Sequence, residues 1–231
     1  MKKIGLVGGT GPESTLMYYR ELNRRIDMRT SGKDMPEICI ESVNFREVWR
    51  YVENSDMNSL ISCLSSKIKN LKNAGCEVIS LTAATMHIVF DELQSETSVE
   101  LISIPKALAS EINRRGYKKV GLLGTAFTMN MDFMKKDLVE AGIEVYIPDF
   151  SDRELIAKRI YEELENGIVN DSTLKEFQSI ISRMRDDYGI EAVILGCTEL
   201  PLLLNSKNSP LPVFDSVEIH LDKLIDLALE E

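Results

Sequence analysis

The chain has 231 residues, 44% of them hydrophobic and 28% charged, with a formal net charge of -10 and a pI near 4.9. That length suffices for one large core or two smaller ones, and an acidic surface repels phosphates, which argues against a nucleic-acid partner. No apolar run approaches the ~18 residues of a membrane span, so an ordinary soluble globular protein is expected, with no membrane partner.

The opening MKKIGLVGG carries two lysines, but its apolar run ends early in glycines, so it reads as a first strand, 3–8, of a cytoplasmic protein rather than a signal peptide. GGTGPEST follows, with Gly8, Gly9 and Gly11 in a turn, Pro12 suited to a first helical turn and Glu13 well placed against the helix dipole. The backbone amides of Gly9, Thr10 and Gly11 could therefore hold an anion at a helix N-terminus. A tight turn packing strand on helix explains Gly8 equally well. Glu41 ends the second strand, 37–42, where a ribose-binding acid would stand, but the glycine spacing is G-x-x-G-G-x-G, and a lone glycine-rich loop is weak support for a nicotinamide cofactor. Arg46 and Arg50 come next as cations able to grip a carboxylate.

Further strands are predicted at 77–82, 101–104, 119–123, 143–147, 191–196 and 212–214, separated by amphipathic segments of helical period. The third runs into LTAATMHIV, whose apex Ala83 and Ala84 can move no proton. After the fifth, GTAFTM offers the hydroxyls of Thr125 and Thr128 at a helix start, where capping alone would account for either. Arg153, Lys158 and Arg159 lie in or near the helix after PDFSD. Cys197 follows Gly196 at the end of the seventh strand, ahead of Thr198, Glu199 and Pro201. A thiol there is expected to have its thiolate stabilised by the helix dipole and nearby amides. Cys39, Cys63 and Cys76 read as small hydrophobes. With no C-x-x-C pair and only His87 and His220 as histidines, neither a disulfide framework nor a metal site is expected. Asp215 and Ser216 read as caps of a closing helix, 216–230.

The chain is written twice. KIGLVGG from Lys3 matches KVGLLGT from Lys119 at an offset of 116, and AGCEVISLTAAT from Ala74 matches YGIEAVILGCTE from Tyr188 at an offset of 114. Two α/β lobes of one ancestry follow, and ligands of such sheets bind beyond the carboxyl ends of the strands. The repeat makes Ala83 the counterpart of Cys197: one lobe offers a methyl group where the other offers a thiol.

IGLVGGTGPEST, the TMH of Thr85–His87, VGLLGTAFTM, GCTELP and PVFDSVEIH, in this order, resemble the cofactor-independent aspartate/glutamate racemases of the Asp/Glu/hydantoin racemase superfamily. The resemblance implies two pseudo-symmetric three-layer α/β/α lobes, each with a mainly parallel four-stranded sheet, and an active site in the cleft between them. The lobes are expected at 1–104 plus 216–231 and at 105–215. It further implies a homodimer, an acidic amino acid as small-molecule substrate, and α-proton abstraction and return by a cysteine from each lobe, with no pyridoxal phosphate, metal or other cofactor. Inversion at carbon needs two opposed acid/base groups.

Carried over residue by residue, the second cysteine is Cys197, flanked by Thr198 and Glu199, and the first falls at Ala83, with Ala84 in place of an asparagine. The expected catalytic positions are thus Cys197, Ala83 and the neighbouring hydroxyl Thr82, with Thr85 or a water as alternatives for the second face. Gly9, Thr10, Gly11, Arg46, Arg50, Ala84, Thr85, Thr125, Thr128, Thr198 and Glu199 are the expected substrate-binding positions. A lysine of some relatives is replaced by Glu165, so Lys158, Arg46 or Arg50 would have to hold the carboxylate. Two other readings stay open: a malonate-type decarboxylase using one cysteine as proton donor, and a ligand-binding homologue that has lost turnover.

Overall fold

The computed structural model describes residues 1–230. The chain divides into two compact units, Met1–Ser103 with the segment from His220 onward, and Ile104–Ile219. The first contains β1 (Ile4–Gly8), α1 (Pro12–Arg29), β2 (Ile38–Ser42), α2 (Phe45–Glu53), α3 (Met57–Asn73), β3 (Val78–Leu81), a 3-10 turn (Ala84–Val89), α4 (Phe90–Ser95) and β4 (Glu100–Ile102). The second contains α5 (Ile104–Arg114), β5 (Lys119–Leu123), α6 (Ala126–Asn130), α7 (Lys136–Glu140), β6 (Glu144–Tyr146), α8 (Phe150–Glu162), a 3-10 turn (Leu164–Asn166), α9 (Asp171–Tyr188), β7 (Ala192–Leu195), α10 (Leu200–Leu203) and β8 (Val213–Asp215). The boundary near the C-terminus falls inside α11 (Ser216–Leu229).

Each unit has a four-stranded sheet, ordered β2-β1-β3-β4 in one and β6-β5-β7-β8 in the other. Every strand pairing is parallel. Parallel neighbours cannot be joined by tight turns, so helices carry the crossovers and cover the faces. The strand sequences fit that burial: β3 (VISL) and β7 (AVIL) are buried at every residue, as strands covered on both faces must be. These are three-layer α/β/α units.

Helix periodicity builds the cores. α1 turns Tyr18, Leu22 and Ile26 inward, and α3 turns in Leu60, Leu64, Ile68 and Leu71. In the second unit Phe177, Ile180 and Met184 of α9 join Ile156 and Ile160 of α8 around Val193 and Leu195. Each such side chain stabilises the unit by roughly 1.5–3 kcal/mol relative to exposure.

The two units repeat one design. Val7 pairs with Leu81 as Leu123 pairs with Leu195. Just beyond, the Thr82 amide donates to the Val7 carbonyl at 3.1 Å, and the Gly196 amide donates to the Leu123 carbonyl at 2.8 Å. Ala83 and Cys197 therefore follow equivalent strand ends. In both units the chain leaves the first strand toward one edge and returns on the other side of it. The carboxyl ends of β1 and β3, and of β5 and β7, thus flank the point where the winding reverses, the usual ligand position in such sheets.

Candidate active site

In the first unit the site begins with backbone geometry. Gly9 has φ +84°, and a Cβ there would lie 2.6 Å from the Val43 carbonyl oxygen, so only glycine lets the chain turn beside β2. The turn delivers Pro12 to the first turn of α1, with Glu13 beside it and no side-chain cap on the helix N-terminus. Thr15 Oγ1 accepts from the Gly9 amide at 2.9 Å and itself donates to the Gly11 carbonyl at 3.0 Å. Thr10 is 9% exposed, and its hydroxyl is a buried oxygen without a hydrogen-bond partner among the described residues. Orphaned buried hydroxyls are costly. An unpartnered Thr10 hydroxyl at an uncapped helix N-terminus is the environment that an anionic ligand group would satisfy.

β3 stops at Leu81, so Thr82 already lies beyond the strand. Its hydroxyl is nevertheless turned into the unit, 3.3 Å from the Val7 carbonyl and 3.2 Å from Thr15 Oγ1. Ser14 Oγ donates to the Thr82 carbonyl. Thr82 thus braces the β1–α1 loop against the end of β3, a role that competes with the acid/base role expected of it. Ser14 and Thr15 went unremarked in the sequence, although both stand in GPEST one turn into the helix. Ala83 precedes the 3-10 turn and accepts from the Met86 amide, while Ala84 accepts through its carbonyl from His87 Nδ1 at 3.1 Å. Thr85 is half-buried. Arg46 and Arg50 are exposed on α2 and have no ion-pair partner among the described residues.

In the second unit Thr125 caps α6, accepting from the Thr128 amide at 3.2 Å, and the two hydroxyls lie 3.0 Å apart. Gly196 is pressed against this corner: a Cβ there would stand 3.0 Å from the Leu123 carbonyl and from Thr128 Cγ2. Cys197 comes next, half-buried. Its thiol donates to Glu199 Oε2 at 2.7 Å, and Thr198 Oγ1 donates to Glu199 Oε1 at 2.6 Å.

This arrangement corrects the expected thiolate. Burial, followed by the charge of Glu199 and the hydrogen bond to it, pushes the Cys197 thiol well above its ordinary value, and Glu165 adds in the same direction. The helix behind it is α10, only four residues long and begun at Leu200, too short and too late to offset two carboxylates. Cys197 rests as a thiol, a proton donor with an acceptor already in place.

Other expected groups are committed elsewhere. Ser216 does not cap α11; its hydroxyl donates to the Leu195 carbonyl at 2.7 Å, satisfying the end of β7, while Asp215 Oδ1 accepts from the amides of Val217 and Glu218. Arg159 holds Glu176 and Glu163, Arg153 bonds Asn130, and Lys158 faces Glu162 at 4.0 Å on the exposed side of α8. Glu41 accepts from Lys67 at 3.2 Å and Asn70 at 3.3 Å, which removes the acid that a dinucleotide site would need. Among the described residues no group of three His, Cys, Asp or Glu could hold a metal ion, and no helix is long and apolar enough to cross a membrane.

Residues 7–224 match the family model for Asp/Glu/hydantoin racemases. The structure is similar to that of a putative Asp/Glu racemase from Yersinia pestis, at 37% identity with a TM-score of 0.94 over 100% of both chains. It is also similar to an aspartate racemase homologue from Pyrococcus horikoshii OT3, at 43% identity with a TM-score of 0.90 over 100% of both chains. In sequence it is 24% identical to the broad specificity amino-acid racemase RacX of Bacillus subtilis, over 92% of each chain. With these matches spanning both repeats and every strand-end loop described above, the chain belongs to the Asp/Glu/hydantoin racemase family.

Proposed function

We propose that the protein is an amino-acid racemase that moves the α-proton of its substrate without pyridoxal phosphate, with Cys197 as its principal acid/base. The observation that carries this reading is the Cys197 thiol donating to Glu199 at the carboxyl end of β7. When Cys197 acts as acid, its S–H bond breaks and a new Cα–H bond forms. When it acts as base, Glu199 first takes the thiol proton, and the thiolate then removes the α-proton while the electron pair delocalises into the substrate carboxylate. Donors aimed at that carboxylate lower the barrier, and within the second unit the Thr125 and Thr128 hydroxyls, in the corner against which Gly196 is pressed, are of that kind. The second face falls to Thr85 or to a water, because the Thr82 hydroxyl is engaged with Val7 and Thr15.

The resting thiol also suits a decarboxylase, which needs a proton delivered to one face only. Glu199 and Glu165 argue against it, since both add negative charge around Cys197 and a malonate brings two more. An acidic amino acid meets the same repulsion, and its side chain would have to find its cation at Arg46 or Arg50.

Incubation of single enantiomers of several amino acids in deuterium oxide, followed by NMR of the α-proton and chiral chromatography, tests the proposal. Loss of the α-proton with growth of the opposite enantiomer supports racemisation. Carbon dioxide released from a substituted malonate, with no α-exchange in any amino acid, would replace it with decarboxylation.

A further inference from the structure

Two thiols of the first unit meet in a place where neither has a task in the chemistry above. Gly5 of β1 is paired with Cys39 on the edge strand β2 and with Ile79 on β3. A Cβ on Gly5 would stand 3.1 Å from Cys76 Cβ and 3.2 Å from Cys76 Sγ, so the missing side chain leaves its place to the Cys76 thiol. Paired residues of adjacent strands share a face of the sheet, which puts Cys39 on the face that Cys76 covers. A second contact fixes that face. Glu41, two residues along β2 from Cys39, accepts from Lys67 and Asn70 of α3, and alternate residues of a strand point to one side. Cys39 therefore points beneath α3, and Cys76 stands just beyond the end of α3, its amide donating to the Leu71 carbonyl at 3.0 Å. The two thiols feel one another: after burial, Cys39 is what pushes Cys76 up, to about 11.

The internal repeat supplies a comparison. Gly121 stands where Gly5 stands; its partner on β6 is Tyr146, and a Cβ on it would lie 2.8 Å from Ile190 Cδ1. The second unit thus fills this space with an apolar pair, and the first fills it with two thiols. Packing is served by either. Two free cysteines converging on one glycine can also be joined, since a disulfide needs Cα atoms about 4.4–6.8 Å apart, close to the spacing of neighbouring strands. Access is unequal. Cys76 is 3% exposed, whereas Cys39 is half-buried on the sheet edge and meets reagents first.

We propose that Cys39 and Cys76 form an intramolecular disulfide site, closed by a low-molecular-weight disulfide such as glutathione disulfide, that clips the edge strand β2 to the segment leading into β3. The Cys39 thiolate attacks one sulfur of glutathione disulfide, forming a mixed disulfide and expelling one glutathione thiolate. Cys76 then gives up its proton and attacks the Cys39 sulfur, forming the Cys39–Cys76 bond and releasing the second glutathione. Two protein thiols lose two electrons and two protons, and one glutathione disulfide becomes two glutathiones.

The test incubates purified wild type with mixtures of reduced and oxidised glutathione. Samples are quenched in acid, alkylated in denaturant, digested without reduction and read by mass spectrometry, and thermal unfolding is followed in parallel. Oxidising mixtures should give the Cys39 and Cys76 peptides as one linked species, which excess reduced glutathione returns to two alkylated peptides. The linked protein should melt higher by roughly 5 °C, because the cross-link constrains the unfolded chain, and Cys39→Ser should show no such rise. Full alkylation of both cysteines in the most oxidising mixture would overturn the proposal, as would Cys39 halted as its mixed disulfide with glutathione. A link to Cys63 or to a second chain, or a linked protein that melts no higher than the reduced one, would overturn it equally. The wild-type peptides decide the matter even where the Cys39→Ser variant fails to fold.

Discussion

Lowering the pH should destabilise the protein through the buried imidazole of His220. His220, on α11, is fully buried, with Nδ1 2.7 Å from the Tyr18 hydroxyl and Nε2 3.0 Å from the Ile102 carbonyl and 3.2 Å from Ser80 Oγ. A carbonyl can only accept, so Nε2 carries the proton and Nδ1 accepts from Tyr18. A second proton would have to enter at Nδ1, in a fully buried site. Burial accordingly holds His220 down to about 4 from its ordinary 6.5. Because the folded state disfavours the charged form, this stabilisation is fully present above pH 6.5 and is lost as the pH falls toward 4. Over that interval the loss is about 3 kcal/mol, and about 2 kcal/mol of it is gone by pH 5. Carboxylates held low by their partners, such as Glu111 at about 2 beside Arg114, lose their contribution only at lower pH, which leaves the window from 6.5 to 5 to histidine. Urea unfolding at pH 7.5 and pH 5 should show wild type losing about 2 kcal/mol more than His220→Gln. Equal losses in the two proteins would refute the assignment.

Three further outcomes follow from the site. Thr10→Val removes a hydroxyl that has no partner among the described residues, so stability should change by less than about 0.5 kcal/mol while KM rises roughly tenfold, as expected for a lost hydrogen bond to a charged group; unfolding curves beside steady-state kinetics check both. Glu199→Gln removes the carboxylate that, after burial, does most to hold the Cys197 thiol up, so the pH profile of Cys197 alkylation, followed by peptide mass spectrometry, should move to lower pH, with Glu165→Gln moving it less. Ala83→Cys places a thiol at the strand end equivalent to that of Cys197 and should raise the ratio of inversion to exchange; a variant that binds substrate normally and stays as slow as the wild type would show that the second face does not lack a base.

The strands were legible because their apolar runs are short, β-branched and bounded by glycines. All eight occur within two residues of the expected ends, and the paired offsets of 116 and 114 return as the same register in both sheets. The side-chain directions were not legible. Adjacency in GCTE suggested a helix dipole acting on the thiol, whereas Glu199 folds back onto it, and Glu165 joins from 34 residues earlier in the chain. Thr82 looked like a spare hydroxyl until its contacts with Val7 and Thr15 were visible. Ser216 had the composition of a cap, but the carbonyl ending β7 claims it. In each case the residue type was readable, and its partner, distant in sequence or reached by a rotamer choice, was not.

The most direct test of the account is α-proton exchange in deuterium oxide by Cys197→Ala against the wild type, using an amino acid that the wild type exchanges and confirming by calorimetry that the variant still binds it. The account predicts that exchange and inversion both fall by at least about a hundredfold, the scale of a lost general acid/base, while binding persists. Exchange that continues at the wild-type rate would contradict it and move the chemistry away from β7.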